Sequence, residues 1–420
     1  MKFFIKNNPR ALLILVTILT ACGQQDDAIE TPAVPQIIDF SPKTGLAADT
    51  VTVTGDHFEA NSANISVLLG DTEGSISKVT ETTIKFVIPE NSTSGMVRVT
   101  VGDIASDFIE PLEILNLYLA GYESDGTYEP KYWTNGIGTS LGIDGDYEGV
   151  SAMDVYQGSV YLAGQSSTLN STSVAKYWVD GVSYDLTDGT TLAQTFGIRV
   201  VDGDIYVCGY EKKGQANHVG TLWKNGEVVF TTNGQKIAYF SSIDIFENSV
   251  YLAGLEGNTA TYWKDGQPVK IGGGTENSRL KGIKVTGDGV YVAGYESKVA
   301  KYWKDGVGYP LAGLTSNAQR SDGFSIDVEN GHVYVCGYEK NVNGNLTAVL
   351  WVDGAPVNLT PAVGRAEAYS VRALNGNVYC AGYELDQGHG PRGKYWRNAQ
   401  PNIVTGNDKS GELTAVFIGR

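Results

Sequence analysis

The chain has few of the residues that usually build metal sites and catalytic centres. It contains only four histidines, His57, His218, His332 and His389, at unrelated positions. No nucleophile motif, phosphate-binding loop or zinc-ligand spacing is present. The acidic loop that begins at Asp144 is shorter than an EF-hand calcium loop, so we interpret it as a solvated loop. We therefore expect no catalytic residue, no metal ion and no cofactor.

Helical periodicity and long apolar runs are missing as well. The uncharged run of residues 11–21 is too short to span a bilayer. Glycine, in contrast, is abundant at 52 residues, and short β-rich runs alternate with Asn-Gly and Asp-Gly pairs. Because 420 residues exceed one ordinary core, the sequence predicts an all-β protein with two domains or a large repeat fold.

Acidic residues outnumber basic residues, 47 to 31. The formal net charge is −16 at pH 7, and it becomes more negative if the basic N-terminal segment is removed. Such a surface repels phosphate backbones and anionic lipids. We therefore expect no nucleic-acid partner.

The N-terminal segment has the pattern of a secretion signal. Three basic residues precede the uncharged run, which ends in Leu19-Thr20-Ala21-Cys22. This ending resembles a bacterial lipobox, and the resemblance implies a signal peptide over residues 1–21 and lipidation of Cys22. Several acyl chains on one residue make a stable membrane anchor. The alternatives are an uncleaved anchor and an ordinary signal peptide followed by cysteine.

A polar tether is predicted over residues 22–33. The acidic pair Asp26-Asp27 after the cysteine resembles the surface-export signal of Bacteroidota lipoproteins. The resemblance implies an outer-membrane lipoprotein, held in the membrane through lipidated Cys22 and facing outside. A plain solvated linker and a periplasmic orientation are the alternatives.

Three further cysteines remain. They are Cys208, Cys336 and Cys380, and the first two occupy the position that Ala163, Ala253 and Ala293 take in similar segments of the chain. We interpret these residues as small buried side chains, because their spacing fits neither a disulfide framework nor a metal site.

Residues 34–112 form the first predicted domain. Ser41-Pro42, the run Thr50–Gly55 and the alternating Val97, Val99 and Val101 resemble an IPT/TIG domain. That family has an immunoglobulin-like sandwich, which alternating β-branched residues between glycine turns also predict. The resemblance indicates no individual binding residue.

Residues 117–420 carry seven copies of one unit. Each copy has a tyrosine followed three residues later by glycine, and each contains one of the seven tryptophans. A period of 40 to 48 residues with β signals alone predicts a propeller of seven four-stranded blades. The first copy lacks an inner strand, so we expect residues 414–418 to supply that strand and close the ring. The unit resembles repeats of Bacteroidota lipoproteins, which implies an architecture but no activity.

Propeller topology places the variable loops on one face. Strands are named A to D from the N-terminal strand of each blade, so the B–C and D–A loops share a face, and the tight A–B and C–D turns share the other. At the end of strand B, five copies carry a Tyr-Glu pair on the variable face. The pairs are Tyr122-Glu123, Tyr210-Glu211, Tyr295-Glu296, Tyr338-Glu339 and Tyr383-Glu384.

Two interpretations of these pairs stay open. The glutamates could form ion pairs with nearby lysines such as Lys131, Lys176, Lys301 and Lys394. Alternatively, the pairs could form a ligand-binding ring, joined by Arg320 from the longest D–A loop and by His389. The leading functional prediction is non-catalytic recognition of an extracellular glycan or envelope protein. An envelope glycoside hydrolase or polysaccharide lyase, and a scaffold that docks an outer-membrane protein, are the alternatives.

Overall fold

The protein is an all-β chain of two parts, a sandwich followed by a propeller. The computed structural model describes residues 34–58, 62–142, 147–167, 172–212, 218–271, 277–316, 318–386, 388 and 390–420. Cys22, His389, Asp144 and the segments 1–21 and 22–33 lie outside these residues. Within the described ranges, no helix is long and apolar enough to cross a membrane.

The sandwich has eight strands. They are β1 (Gln36–Ser41), β2 (Thr44–Gly45), β3 (Thr50–Asp56), β4 (Ile65–Leu69), β5 (Thr72–Val79), β6 (Thr83–Val87), β7 (Gly95–Val101) and β8 (Ile104–Ile114), with a short 3-10 helix at Ser62–Asn64. Their order is β1-β3-β6-β5-β4-β7-β8-β2. Alternation along the strands buries Val51 and Val53 of β3 around Phe40 and Phe86, while the threonines between them point away from the core.

The rest of the chain forms seven four-stranded antiparallel sheets, as the repeats predict. The innermost strands A are Ser410–Gly419 in blade 1 and then Tyr147–Tyr156, Ala193–Val201, Ala238–Phe246, Ser278–Thr286, Arg320–Glu329 and Ala366–Leu374. Strands B are Asn116–Ser124, Ser159–Ser167, Asp204–Lys212, Ser249–Glu256, Gly289–Glu296, His332–Lys340 and Asn377–Asp386. Strands C are Tyr128–Thr134, Ser173–Val179, His218–Lys224, Thr259–Lys264, Val299–Lys304, Leu346–Val352 and Gly390–Arg397. The outer strands D are Ile137–Ser140, Val182–Asp185, Glu227–Thr231, Gln267–Lys270, Val307–Pro310, Ala355–Asn358 and Gln400–Ile403.

The C-terminal strand closes the ring. Ser410–Gly419 pairs antiparallel with Asn116–Ser124, so the last residues of the chain complete the first blade. This confirms the predicted closure, and it removes two unpaired sheet edges.

The repeated residues build the contacts between blades. Trp178 is fully buried and packs against Tyr118 and Ala120 of the preceding blade, and its equivalents lie in the same way. The repeated glycine permits close approach of strands A and B, because a Cβ on Gly164 would overlap the carbonyl oxygen of Gly149. Cys208, Cys336 and Cys380 are buried free thiols, as predicted.

The C–D turns share one conformation. Asp305 and Gly306 have φ values of 50° and 82°, the positive pair that a two-residue hairpin needs. The sequence predicts a different turn in blade 7, where Asn398-Ala399 replaces the usual pair. That prediction is wrong, since Asn398 and Ala399 have φ values of 49° and 64°. The strands on either side fix the turn, and alanine accepts the strained conformation.

The sandwich contacts the tight-turn face of the propeller. Asp49, 2% exposed, pairs with Arg397 at the end of strand C in blade 7 and accepts a hydrogen bond of 3.2 Å from Asn377 at the start of strand B. Asn375 donates to the carbonyl oxygen of Thr44 at 2.7 Å. These contacts leave the face with the B–C and D–A loops on the opposite side.

Candidate functional site

Every strand A carries a β-bulge at the same place. One residue in each strand is left without a partner in strand B. From blade 1 to blade 7 these bulge residues are Thr414, Ser151, Phe196, Ser241, Lys281, Phe324 and Tyr369. Bulges redirect side chains and are frequent next to binding sites. Here all seven bulge residues line one cavity on the propeller axis.

The cavity has a volume of about 720 Å³. It extends from Tyr239 and Glu412, near the start of their strands A, to Met153, deeper along the axis. Tyr210 and His218, which flank the B–C loop of blade 3, belong to its wall. The cavity therefore opens on the face with the B–C and D–A loops, away from the sandwich.

One aromatic wall lies on blades 3 and 4. The ring centroids of Phe196 and Tyr210 are 6.0 Å apart, and that of Tyr239 lies 6.5 Å from Phe196. His218 stacks on Tyr210 at 4.3 Å. Burial lowers the pKa of His218, with Lys212 adding to the effect, so the imidazole is neutral at pH 7.

A second aromatic wall lies on blades 6 and 7. Phe324 lies 5.5 Å from Tyr338 and 5.4 Å from Tyr369, centroid to centroid. Tyr369 is in turn 5.9 Å from Tyr383, whose hydroxyl donates to Glu367 at 2.9 Å. Two aromatic surfaces thus flank the opening.

Six charged residues of alternating sign ring the deep end of the cavity. In blades 2 to 7 they are Asp154, Arg199, Asp244, Lys284, Asp327 and Arg372, and blade 1 has Phe417 at the equivalent position. Arg199 lies 3.6 Å from the Asp154 carboxylate and 3.2 Å from that of Asp244, and Lys284 lies 3.6 Å from that of Asp327.

The aspartates of this charged ring also join neighbouring blades. Asp154 accepts a backbone hydrogen bond of 2.7 Å from Val200, and Asp244 accepts one of 2.8 Å from Val285. Burial raises the pKa of Asp154, although Arg199 opposes the shift. The aspartates of the ring are held by Arg199, Lys284 and backbone amides, so we interpret the ring as the floor of the cavity.

Blade 5 supplies positive charge nearer the mouth. The guanidinium of Arg279 lies 4.9 Å from the ring centroid of Tyr239, and the ammonium of Lys281 lies 5.6 Å from that of Phe324. Burial lowers the pKa of Lys281, opposed by Asp322. Arg279 and Lys281 are called the cation pair below.

Blade 1 contributes an acidic residue, Glu412, to the cavity wall. Burial raises the pKa of Glu412, although hydrogen bonds from Tyr122 and Tyr369 oppose the shift. The cavity is therefore polarised, with the cation pair on blade 5 and Glu412 on blade 1.

The glutamates singled out in the sequence lie near the ends of strands B on this face. Glu123 and Glu384 pair with lysines, at 2.8 Å from Lys131 and 2.6 Å from Lys394, and Glu296 pairs with Lys301. Glu339 accepts backbone hydrogen bonds of 2.7 and 3.2 Å from Leu314 and Thr315. Glu211 is the last residue but one of strand B in blade 3 and is half-buried. Lys176 pairs with Glu148 of strand A at 3.1 Å.

The tyrosines of the five pairs divide into two groups. Tyr210 lines the cavity and Tyr338 adjoins Phe324. Tyr383 and Tyr295 are 3% and 7% exposed, and Tyr122 stacks on Tyr128 at 4.4 Å between centroids.

Arg320 does not belong to a D–A loop, as the sequence suggested, but begins strand A of blade 6. Its guanidinium lies 5.0 Å from the ring centroid of Tyr295, and one nitrogen is 3.4 Å from the carboxylate of Asp322. Strand A starts earlier here because Ser321 and Asp322 pair with Glu339 and Tyr338.

Sequence reasoning missed most of the cavity lining. A signal was present, because the bulge position varies from serine to lysine to phenylalanine between otherwise similar repeats. Its meaning depends on the bulge, which turns this one residue of each strand toward the axis. In the part of the chain that the structure covers, no group of three or more potential ligands could hold a metal ion.

Comparisons with known proteins identify the first domain. Residues 35–109 match the family model of the IPT/TIG domain. A search of curated proteins found no match. An auxiliary nutrient binding protein from Bacteroides ovatus is similar at 12% identity, covering 73% of this chain and 95% of its own, with a TM-score of 0.31. Another auxiliary nutrient binding protein, from Bacteroides thetaiotaomicron, is 11% identical. It covers 72% of this chain and 95% of its own, also with a TM-score of 0.31.

A third solved structure is the β-propeller domain of the trilobed protease from Pyrococcus furiosus. It is 8% identical, covers 89% of this chain and 97% of its own, and has a TM-score of 0.38. By the match to the family model, residues 35–109 are an IPT/TIG domain, and they precede a seven-bladed β-propeller.

Proposed function

We propose that the propeller is a non-catalytic binding module whose axial cavity takes the end of an extracellular glycan chain. The observation that carries this proposal is the cavity itself, which has two aromatic walls and opens on the variable-loop face. Aromatic faces pack against the apolar faces of sugar rings, while polar groups between them accept and donate hydrogen bonds.

The size of the cavity favours a glycan over a protein partner. A volume of about 720 Å³ lies in the range of small-ligand sites and accommodates a few sugar rings. A stable protein interface instead needs roughly 800 Å² of surface on each partner. A protein could offer only a loop to this cavity.

The membrane anchor belongs to the same proposal. Lipidated Cys22 would hold the protein at the outer membrane with the propeller facing outside. The sandwich contacts the tight-turn face through Asp49, which supports this arrangement because a tether reaching the sandwich leaves the cavity mouth uncovered. Metabolic labelling with a radioactive fatty acid tests the anchor, and labelling that persists in a Cys22→Ala variant contradicts it.

A panel of soluble polysaccharides and their oligosaccharides tests the function. The purified protein should bind at least one of them and release no new reducing ends or unsaturated products on long incubation. Products would indicate the hydrolase or lyase alternative. Binding confined to membrane proteins, with no sugar retained, would indicate a scaffold and would overturn the proposal.

A further inference from the structure

We propose that the cavity selects sugars carrying an anionic group, a carboxylate or a sulfate ester, and that this group binds the cation pair Arg279 and Lys281. This inference rests on the proposed glycan binding and specifies the class of sugar.

Arg279 acts on the carboxylate of Asp322, but only at longer range than an ion pair. In the described ranges its guanidinium forms no ion pair, and its Nε is buried without a hydrogen-bond partner. The hydroxyl of Tyr239, on which the guanidinium stacks, is buried and without a partner too. Buried donors left without a partner cost free energy. Arg279 and Tyr239, together with Lys281, therefore offer three donor groups to an acceptor from outside the protein.

Lys281 is the only cation among the bulge residues. Its side chain is half-buried at the cavity wall, and it has no ion pair with any residue that the structure describes. Phe324 lies under its ammonium group, at 5.6 Å from the ring centroid. A bulge aims this lysine at the axis, where an anion could meet both Lys281 and Arg279.

Three lysines of strands C on the same face are paired. Lys131, Lys176 and Lys394 each lie within 3.1 Å of a glutamate oxygen. The chain has 47 acidic residues against 31 basic ones, so carboxylates are in excess. Two neighbouring cations in one wall, which have only the longer-range attraction of Asp322, therefore indicate a place for an anion from outside the protein.

The rest of the cavity orients the ligand. Glu412, on blade 1, repels a second anion and accepts hydrogen bonds, so it suits the hydroxyl groups of a sugar. Phe196 and Tyr369 offer surfaces for the sugar ring on either side. The anion is thereby directed to blade 5. Carboxylate and sulfate share this chemistry, since arginine binds both through paired N–H groups.

The test compares matched oligosaccharides. Oligogalacturonates, sulfated galactan oligosaccharides and neutral galactan oligosaccharides of equal length are titrated into the wild-type protein and into an Arg279→Gln/Lys281→Met variant. The control is Lys304→Met, which removes one charge from the tight-turn end of strand C in the same blade. Circular dichroism verifies that each variant is folded.

We expect the wild type to bind one acidic series at least about tenfold more tightly than the neutral series. The double variant should lose this preference, and the control should keep it. Whether the wild-type protein prefers the uronate series or the sulfated series identifies which anion the cavity binds. Equal binding of acidic and neutral sugars, or an unchanged preference in the double variant, overturns this inference and leaves glycan binding intact. Failure of all three series and of the wider panel overturns both proposals.

Discussion

Single residues within a repeated frame decide what the cavity contains. At the bulge of strand A, the hydroxyls of Ser151 and Ser241 donate to backbone carbonyls at 2.8 Å and so remain against the frame. Phe324 and Tyr369 at the equivalent positions instead present rings to the cavity. Blades 2 and 4 thus leave space in the cavity, while blades 6 and 7 fill it with aromatic rings. The site is therefore asymmetric although the seven blades are similar.

Asp322 is a residue whose ionisation the fold opposes. Burial raises its pKa to about 6, against the lowering effect of Lys281, Arg320 and Arg279. Tyr239 and Tyr338 also face the carboxylate. The folded state therefore binds more protons than the unfolded state between pH 4 and 6, so this carboxylate lowers stability as the pH rises through that window.

An Asp322→Asn variant should remove this pH dependence. Between pH 4 and pH 7, the free energy of unfolding of the variant should rise relative to wild type by about 1–3 kcal/mol. Denaturant titrations at the two pH values measure the difference. A constant difference at both pH values would show that the carboxyl titrates normally.

At the scale of elements, the closing strand holds the ring together. Removing residues 411–420 would expose one edge of blade 1 and delete Glu412 and Phe417 from the axis. We expect the propeller of this truncated protein to be unfolded. Near-ultraviolet circular dichroism and the melting temperature provide the readout, and survival of the wild-type values would refute the closure mechanism.

The C–D turn of blade 7 has a strained alanine. An L-residue in the left-handed region costs about 1 kcal/mol, and glycine does not have this cost. Ala399→Gly should therefore raise stability by up to about 1 kcal/mol, the gain being limited by lost contacts of the half-buried methyl group. Ala355→Gly, at the first residue of strand D directly after the equivalent turn of blade 6, is the control and should destabilise. A lower melting temperature for Ala399→Gly would be inconsistent with strain.

Elements were more predictable than the site. Every blade makes the same packing contacts, so the residues that form them recur in each repeat and can be recognised in the sequence. Examples are Trp178, Gly164 and the Asp-Gly turns. The bulge at Lys281 is not marked by a repeated residue type. It depends on how strand A pairs with strand B, and the cavity that Lys281 faces is formed together with the six other blades. The pairing of Arg279 with Tyr239 is likewise a contact between blades, which spacing along the chain does not specify.

At the scale of the whole molecule, the sandwich and the propeller are joined through a buried carboxylate. Asp49 accepts a backbone hydrogen bond of 2.8 Å from Leu46 and pairs with Arg397. Burial raises the pKa of Asp49, opposed by the hydrogen bond from Leu46 and by Arg397. The contact directs the open face of the propeller away from the sandwich.

Asp49→Ala should loosen this junction. Removing one partner of a buried ion pair leaves Arg397 uncompensated, and we expect a loss of about 2–4 kcal/mol from the stability of the sandwich. Calorimetry should then separate one melting transition into two, with the propeller transition little changed. Lys43→Ala, which removes an exposed pair with Asp39, serves as the control. An unaltered thermogram for Asp49→Ala would show that the interface does not depend on this residue.

The central claim is that the axial cavity is the binding site. Isothermal titration calorimetry with an oligosaccharide from the panel tests it most directly, using wild type, a Phe196→Ala/Phe324→Ala variant and Tyr309→Ala. Tyr309 lies on an outer strand D, 41% exposed, and controls for loss of an aromatic residue. We predict that the cavity variant, while folded, binds at least about tenfold more weakly than wild type, whereas Tyr309→Ala binds equally well. Undiminished binding by the folded cavity variant would contradict the account.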